Sequence, residues 1–143
     1  MDAVFAALEA LPPIAALRFS GTLYALVNGS HILGIALLVG GVLSHHVSVW
    51  TGVPAPTRPL WVAVAGLLLA LGSGAVLFAT RASEYAANPA LQIKLILISA
   101  ALTNVFVYYR IAGPRGRRVC LILSAGFWIT LIYVGRWIAF VRV

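Results

Sequence analysis

Four long runs that are nearly free of charge leave this chain little choice of fold. They lie at about 22–49, 60–80, 90–109 and 119–140, and short segments holding prolines, glycines and arginines separate them. A helix rises about 1.5 Å per residue, so roughly 20 apolar residues match the ~30 Å hydrocarbon layer of a bilayer. Backbone amides in that layer must find partners within the protein, and a helix is the form in which such a run satisfies them. The expectation is an all-α integral membrane protein, a four-transmembrane-helix bundle. Residues 20–143 form one transmembrane domain, and residues 1–19 a short amphipathic interfacial segment.

Composition supports this. The chain has 143 residues, 62% hydrophobic and 9% charged, whereas a soluble domain carries roughly a quarter charged residues. Lipid must cover most of the surface. A net charge of +7 would point to nucleic acid in a soluble protein, but the basic residues are scattered and form no phosphate-tracking stripe. Arginines in loops instead set topology and meet anionic lipid head groups. The single cysteine, Cys120, excludes an intrachain disulfide and a cysteine-built metal cluster.

Val4, Phe5, Leu8 and Leu11 fall at helical spacing with Asp2 ahead of them, which predicts a helix lying at the interface. Asp2 and Glu9, with the interruption at Pro12-Pro13, do not resemble a signal peptide. Pro13 suits the start of a second short turn leading to Arg18. Span one holds Asn28 and all three histidines, His31, His45 and His46. Its Ala36, Gly40 and Ser44 form a small-residue ridge, and Gly66, Ala70 and Gly74 repeat that ridge in span two, the expected close-packed helix. Thr51–Pro59, with three prolines, reads as a loop. Pro89 opens span three, and Tyr108-Tyr109-Arg110 closes it with an interface signature. Ile111–Arg118, carrying Arg115, Arg117 and Arg118, reads as the next loop. Span four contains Arg136, with Trp128 and Trp137 as interface anchors.

Alternating spans run in opposite directions, so the start of span one, the end of two, the start of three and the end of four belong to one layer. Asn28, His31, Arg81, Glu84, Tyr85, Asn88, Gln92, Lys94, Tyr133 and Arg136 fall there. Ionisable groups at membrane depth cost about 2.5–3.5 kcal/mol on insertion scales and face the protein interior or water. Glu84, the one acid outside the amino-terminal segment, is the natural counter-charge for Arg81, Lys94 or Arg136. Two readings stand. The layer is either an ion-pair network closing the bundle, or a pocket for an anion or cofactor head group lined by His31, Arg81, Glu84, Tyr85, Asn88, Lys94 and Arg136. The opposite layer has His45, His46, Asn104, Tyr108 and the arginine-rich segment. Ten basic residues divide evenly between the two sides. The three arginines in one short segment favour the cytoplasm there and place the termini in the periplasm.

His31 is the sharpest single residue. Its Nε2 can ligate the iron of a b-type haem or hydrogen-bond a quinone carbonyl. Otherwise it bonds a neighbouring helix, through a residue such as Asn104 or Tyr133. His31 and His45 lie fourteen residues apart, hence roughly 40° out of phase and about 21 Å apart. Stacked haems on that face would need second ligands from another protomer across the Ala36/Gly40/Ser44 ridge. His45-His46 read as the watery end of a span, without the methionine or cysteine that soft copper prefers. No nucleophile–histidine–acid set and no phosphate-binding glycine loop appears, which argues against an active site of the chain's own.

His31-x-x-Gly34 with Gly40, Arg81-x-x-x-Tyr85-x-x-Asn88 running into Lys94, Asn104, and Gly135-Arg136-x-x-Ala139 together resemble a family of uncharacterised small four-span bacterial inner-membrane proteins, a domain of unknown function. The likeness covers about His31 to Phe140. It implies the four-span fold, the bacterial inner membrane and the grouping of His31, Arg81, Tyr85, Lys94 and Arg136, but no reaction. In that family a histidine often follows the span-three asparagine, where this chain has Tyr108 and Tyr109. The functional expectation is a non-enzymatic subunit or accessory protein. It would sit in lipid and dock in a larger respiratory or photosynthetic complex, or as a homo-oligomer. The alternative is a redox module binding b-type haem or quinone near His31. A small transporter comes third, since no inverted repeat is evident.

Overall fold

A computed structural model describes residues 2–53, 58–111, 113–138 and 140–141. Among the described residues seven helices follow one another: α1 (Asp2–Glu9), α2 (Pro12–Phe19), α3 (Gly21–Thr51), α4 (Arg58–Ala79), α5 (Ala82–Ala87), α6 (Pro89–Arg110) and α7 (Pro114–Trp137). No strand occurs among the described residues. The helices α3, α6, α7 and the Leu60–Ala79 part of α4 are long and apolar enough to cross a membrane. The chain is therefore an all-α, four-span, multi-pass membrane protein, as its apolar runs imply. The helices group into two compact units, Met1–Tyr85 and Ala86–Val143.

In the first unit the amino-terminal segment is two short helices, the expected second turn being the eight-residue helix α2. Pro12 and Pro13 lack backbone donors, so α1 ends before them and Pro12 serves as the first residue of α2. The amphipathic pattern then docks: the Phe5 ring meets Phe78 of α4 edge-on, centroids 6.2 Å apart, and Leu17 of α2 is buried. Ser20 caps α3 by accepting the Leu23 amide through Oγ at 3.3 Å. With 31 residues, α3 is about 46 Å long, so it overruns the hydrocarbon layer. It stops at Gly52, whose φ of +70° is a left-handed conformation that glycine adopts without a Cβ penalty.

The α3 and α4 helices pack backbone to backbone. A Cβ at Gly34 would lie 2.6 Å from the Ala70 nitrogen, and one at Gly66 would lie 2.4 Å from the Leu38 nitrogen. Small residues permit this approach, and in lipid such close contact is what drives helix association. The Gly66/Ala70/Gly74 ridge of span two is the packed one, as expected. The expected ridge of span one is not. Gly34, Leu38 and Gly41 are buried, as is His46 further along α3, whereas Ala36, Gly40 and Ser44 are exposed. At 100° per residue the two sets lie roughly 130° apart around the helix.

In the second unit α6 and α7 form a hairpin. Asn88 caps α6, its Oδ1 accepting the amides of Ala90 at 2.9 Å and Leu91 at 3.4 Å, and Pro89 takes the first helical position. Midway, Asn104 Nδ2 donates to the Cys120 carbonyl on α7 at 2.8 Å. The expected loop over Ile111–Arg118 is shorter than the sequence suggested. Pro114 opens α7, its fixed φ already helical, so Arg115 and Arg117 lie in the first turn of a helix and Arg118 directly after it. Ile111 closes this turn over Gly116, where a Cβ would lie 2.7 Å from Ile111 Cγ2. The helix ends at Trp137, short of the expected Phe140.

Candidate functional site

His31 is held by the backbone of α4. Its Nδ1 lies 2.8 Å from the Ala70 carbonyl and 3.2 Å from Ser73 Oγ. A carbonyl only accepts, so Nδ1 carries the hydrogen, and in the neutral ring the lone pair is on Nε2. The Ser73 hydroxyl spends its own hydrogen on the Leu69 carbonyl and meets the imidazole with an oxygen lone pair. The ring has room because Gly74 has no side chain: a Cβ there would lie 3.0 Å from His31 Cε1. Of the two partners expected from sequence, Asn104 donates to the Cys120 carbonyl and Tyr133 is 71% exposed; both belong to the second unit.

Arg81, Glu84 and Tyr85 gather around α5 in the same unit. Arg81 and Glu84 form an exposed ion pair at 3.4 Å, a geometry worth little in water. Tyr85 is half-buried, with Tyr24 of α3 nearby. Burial first, then the neighbouring Tyr24, pushes its hydroxyl above the usual tyrosine range, so it stays neutral at physiological pH. Sequence reasoning missed Glu9. Its carboxylate accepts from the Ser83 amide at 3.0 Å and the Ser83 hydroxyl at 2.7 Å, and Arg18 lies 3.4 Å away. The bonds from Ser83 hold this carboxyl below the usual glutamate range. An anion is also favoured at the amino-terminal end of α5. The α1 helix is thus pinned to α5 across 74 positions, a separation that no local pattern reveals.

The remaining nominated residues, Asn88, Lys94 and Arg136, belong to the second unit. The Asn88 side chain is fully used: while Oδ1 caps α6, Nδ2 donates to the carbonyls of Ile138 at 3.4 Å and Val141 at 3.1 Å. It is a staple between the start of α6 and the chain beyond α7. Gln92 is spent locally, on the Ala86 carbonyl at 3.0 Å. Lys94 lies along α7, its Nζ 3.3 Å from where a Gly135 Cβ would be, and no acid pairs with it among the described residues. Arg136 is exposed and stacks over Phe140 at 5.4 Å.

Charge divides sharply. Residues 1–85 contain Arg18, Arg58 and Arg81 and all three acids, and are neutral overall. Residues 86–143 contain Lys94, Arg110, Arg115, Arg117, Arg118, Arg136 and Arg142 and no acid, so they carry the entire +7. The two ion pairs among the described residues, Arg18–Glu9 and Arg81–Glu84, both lie in the first unit. Of the three partners expected for Glu84, it pairs with Arg81, in its own unit.

At the far end of α3, His46 is 5% exposed, with the His45 ring 6.5 Å away. His46 is thus buried and not at a water-facing end, as the pair was expected to be. The shared-haem dimer also loses its geometry. His31 bonds α4 and His45 shares its phase, so both lie away from the Ala36/Gly40/Ser44 ridge across which such a dimer would form. No three metal-ligating side chains cluster among the described residues. No family model, curated protein or solved structure matches the chain.

Proposed function

We propose that the protein is a non-enzymatic membrane subunit that docks through α3 into a larger membrane complex, of the respiratory or photosynthetic kind. The carrying observation is that α3 has two small-residue faces and its own unit uses one. Gly34 and Gly41 pack inward, while Ala36, Gly40 and Ser44 are exposed, with open space where a Gly40 Cβ would project. Lipid gives two helices no hydrophobic reason to associate, so a small-residue face matters as a place for close approach. In a bacterial inner membrane the arginine-rich turn faces the cytoplasm and the termini the periplasm. A cysteine at Gly40, in a Cys120→Ser background, should cross-link in native membranes to a different polypeptide. Recovery of an uncross-linked, lone monomer would sink this proposal.

A second reading is favoured by the His31 geometry. Bonding of Nδ1–H to Ala70 orients the ring and makes Nε2 its basic nitrogen, the outer-shell arrangement that supports metal ligation by histidine. Donation to a quinone carbonyl would require a protonated ring, so b-type haem suits the site better than quinone. Bound haem would supply one-electron chemistry. Ala70 and Ser73 would fix the imidazole, and Gly74 would give it space. The absorption spectrum of natively purified protein tests this: a Soret band that disappears in His31→Ala supports ligation, and its absence from wild type under haem supply ends the idea.

A further inference from the structure

The turn between α6 and α7 concentrates charge that the chain itself does nothing to offset. Four arginines fall within nine positions, and the unit holds no carboxylate. Two of the four are engaged locally: Arg110 stacks over Phe106 at 4.6 Å, and Arg117 Nε donates to the Ile111 carbonyl at 3.1 Å. Arg115 and Arg118 are exposed and bond nothing among the described residues. Separated by three positions, they share a face of α7 with Cβ atoms about 5–6 Å apart, a spacing at which two guanidinium groups can straddle one phosphate.

Helix energetics make this placement unfavourable without an anion. The first turn of α7 has no acid, and its cap residue, Gly113, supplies no side-chain bond. Arg115 and Arg117 there, with Arg118 directly after them, oppose the positive end of the helix dipole, and neighbouring like charges repel. The turn also sits at a recognisable depth. Tyr108 and Tyr109, with rings stacked edge-on at 5.3 Å, immediately precede Arg110, and such aromatic residues settle at the level of the head groups.

We propose that this turn is a binding site for the phosphate of an anionic phospholipid, held chiefly by Arg115 and Arg118. The full chain in detergent, titrated with phosphatidylglycerol or with phosphatidylcholine of the same acyl chains and followed by native mass spectrometry, should retain the anionic lipid preferentially. The Arg115→Gln/Arg118→Gln variant should bind it roughly 30-fold more weakly, from two basic residues near an anionic surface. Arg81→Gln should bind like wild type. Phosphatidylglycerol should raise the unfolding temperature of wild type and leave that of the double variant unchanged. Without anionic lipid the double variant should be at least as stable as wild type, because repulsion is relieved, which separates lost binding from lost folding. Equal retention by wild type and the double variant overturns the proposal, as does displacement of the lipid by millimolar inorganic phosphate.

Discussion

The two hairpins are built from helices of the same kind and held by different means. In the first, glycines let α3 and α4 touch through their backbones, and charge balances within the unit. In the second, no glycine brings backbones into contact: a Cβ at Gly126 would meet nothing within 4 Å, and Gly135 faces only the Lys94 side chain. Side-chain amides tie that hairpin instead, Asn104 to Cys120 and Asn88 to Ile138 and Val141. Where the surrounding solvent is as apolar as the side chains, close approach and interhelical hydrogen bonds are the two remaining ways to hold helices. Each hairpin relies mainly on one of them. The first should therefore be sensitive to added volume and the second to lost donors.

The largest expected effect is at Gly66. Its Cβ would lie 2.4 Å from the Leu38 nitrogen and 2.7 Å from the Gly34 carbonyl oxygen, backbone atoms that move only if the helices separate. Gly66→Ala should cost about 2–3 kcal/mol, as overpacking does, measured by thermal unfolding in detergent. Gly126→Ala should gain up to about 1 kcal/mol from helix propensity. Equal losses at the two positions would break the comparison.

Asn88 comes next. Its replacement by alanine removes the α6 cap and two carbonyl contacts, and should cost about 1–2 kcal/mol. Asn104→Leu keeps volume, removes the bond to Cys120, and should cost about 0.6–1.7 kcal/mol, the range of interhelical hydrogen bonds in membranes. An Asn104→Leu protein as stable as wild type would show that apolar packing alone closes the second hairpin.

This difference between hairpins was only half legible beforehand. Apolar run length gives the four spans, since few structures besides a helix can occupy about 20 such residues in lipid. The Gly66/Ala70/Gly74 face was readable because span two has one continuous small ridge. Span one offers two, and which is used depends on the face α4 meets, a tertiary fact. Leu38 sits in the true contact and no search for small residues selects it. His31 stood out, but its partner is a backbone carbonyl, which has no signature in sequence. Asn88 before Pro89 reads as a cap, whereas its reach to Ile138 and Val141 does not. Arg115, Arg117 and Arg118 read as a loop from sequence because charge usually marks one. Pro114 at a helix start is the local signal that outweighs it.

The smallest expected effect tests the neutrality of the first unit. Hydrogen bonds from Ser83 lower the Glu9 pKa, so its contribution is complete above the ordinary glutamate range and is lost as pH falls through the depressed folded value. Over that acid window α1 should loosen from α5, and the first unit should gain positive charge and come to resemble the second. The measurement is hydrogen-exchange protection of the Ser83 amide, referenced at each pH to a Glu9→Gln protein. Wild type should be better protected at neutral pH, and the two should converge in acid, because a neutral carboxyl and an amide are comparable acceptors. A Ser83 amide equally protected in both proteins at neutral pH would remove Glu9 as the pin and leave the Phe5–Phe78 contact to hold the amino-terminal helix by itself.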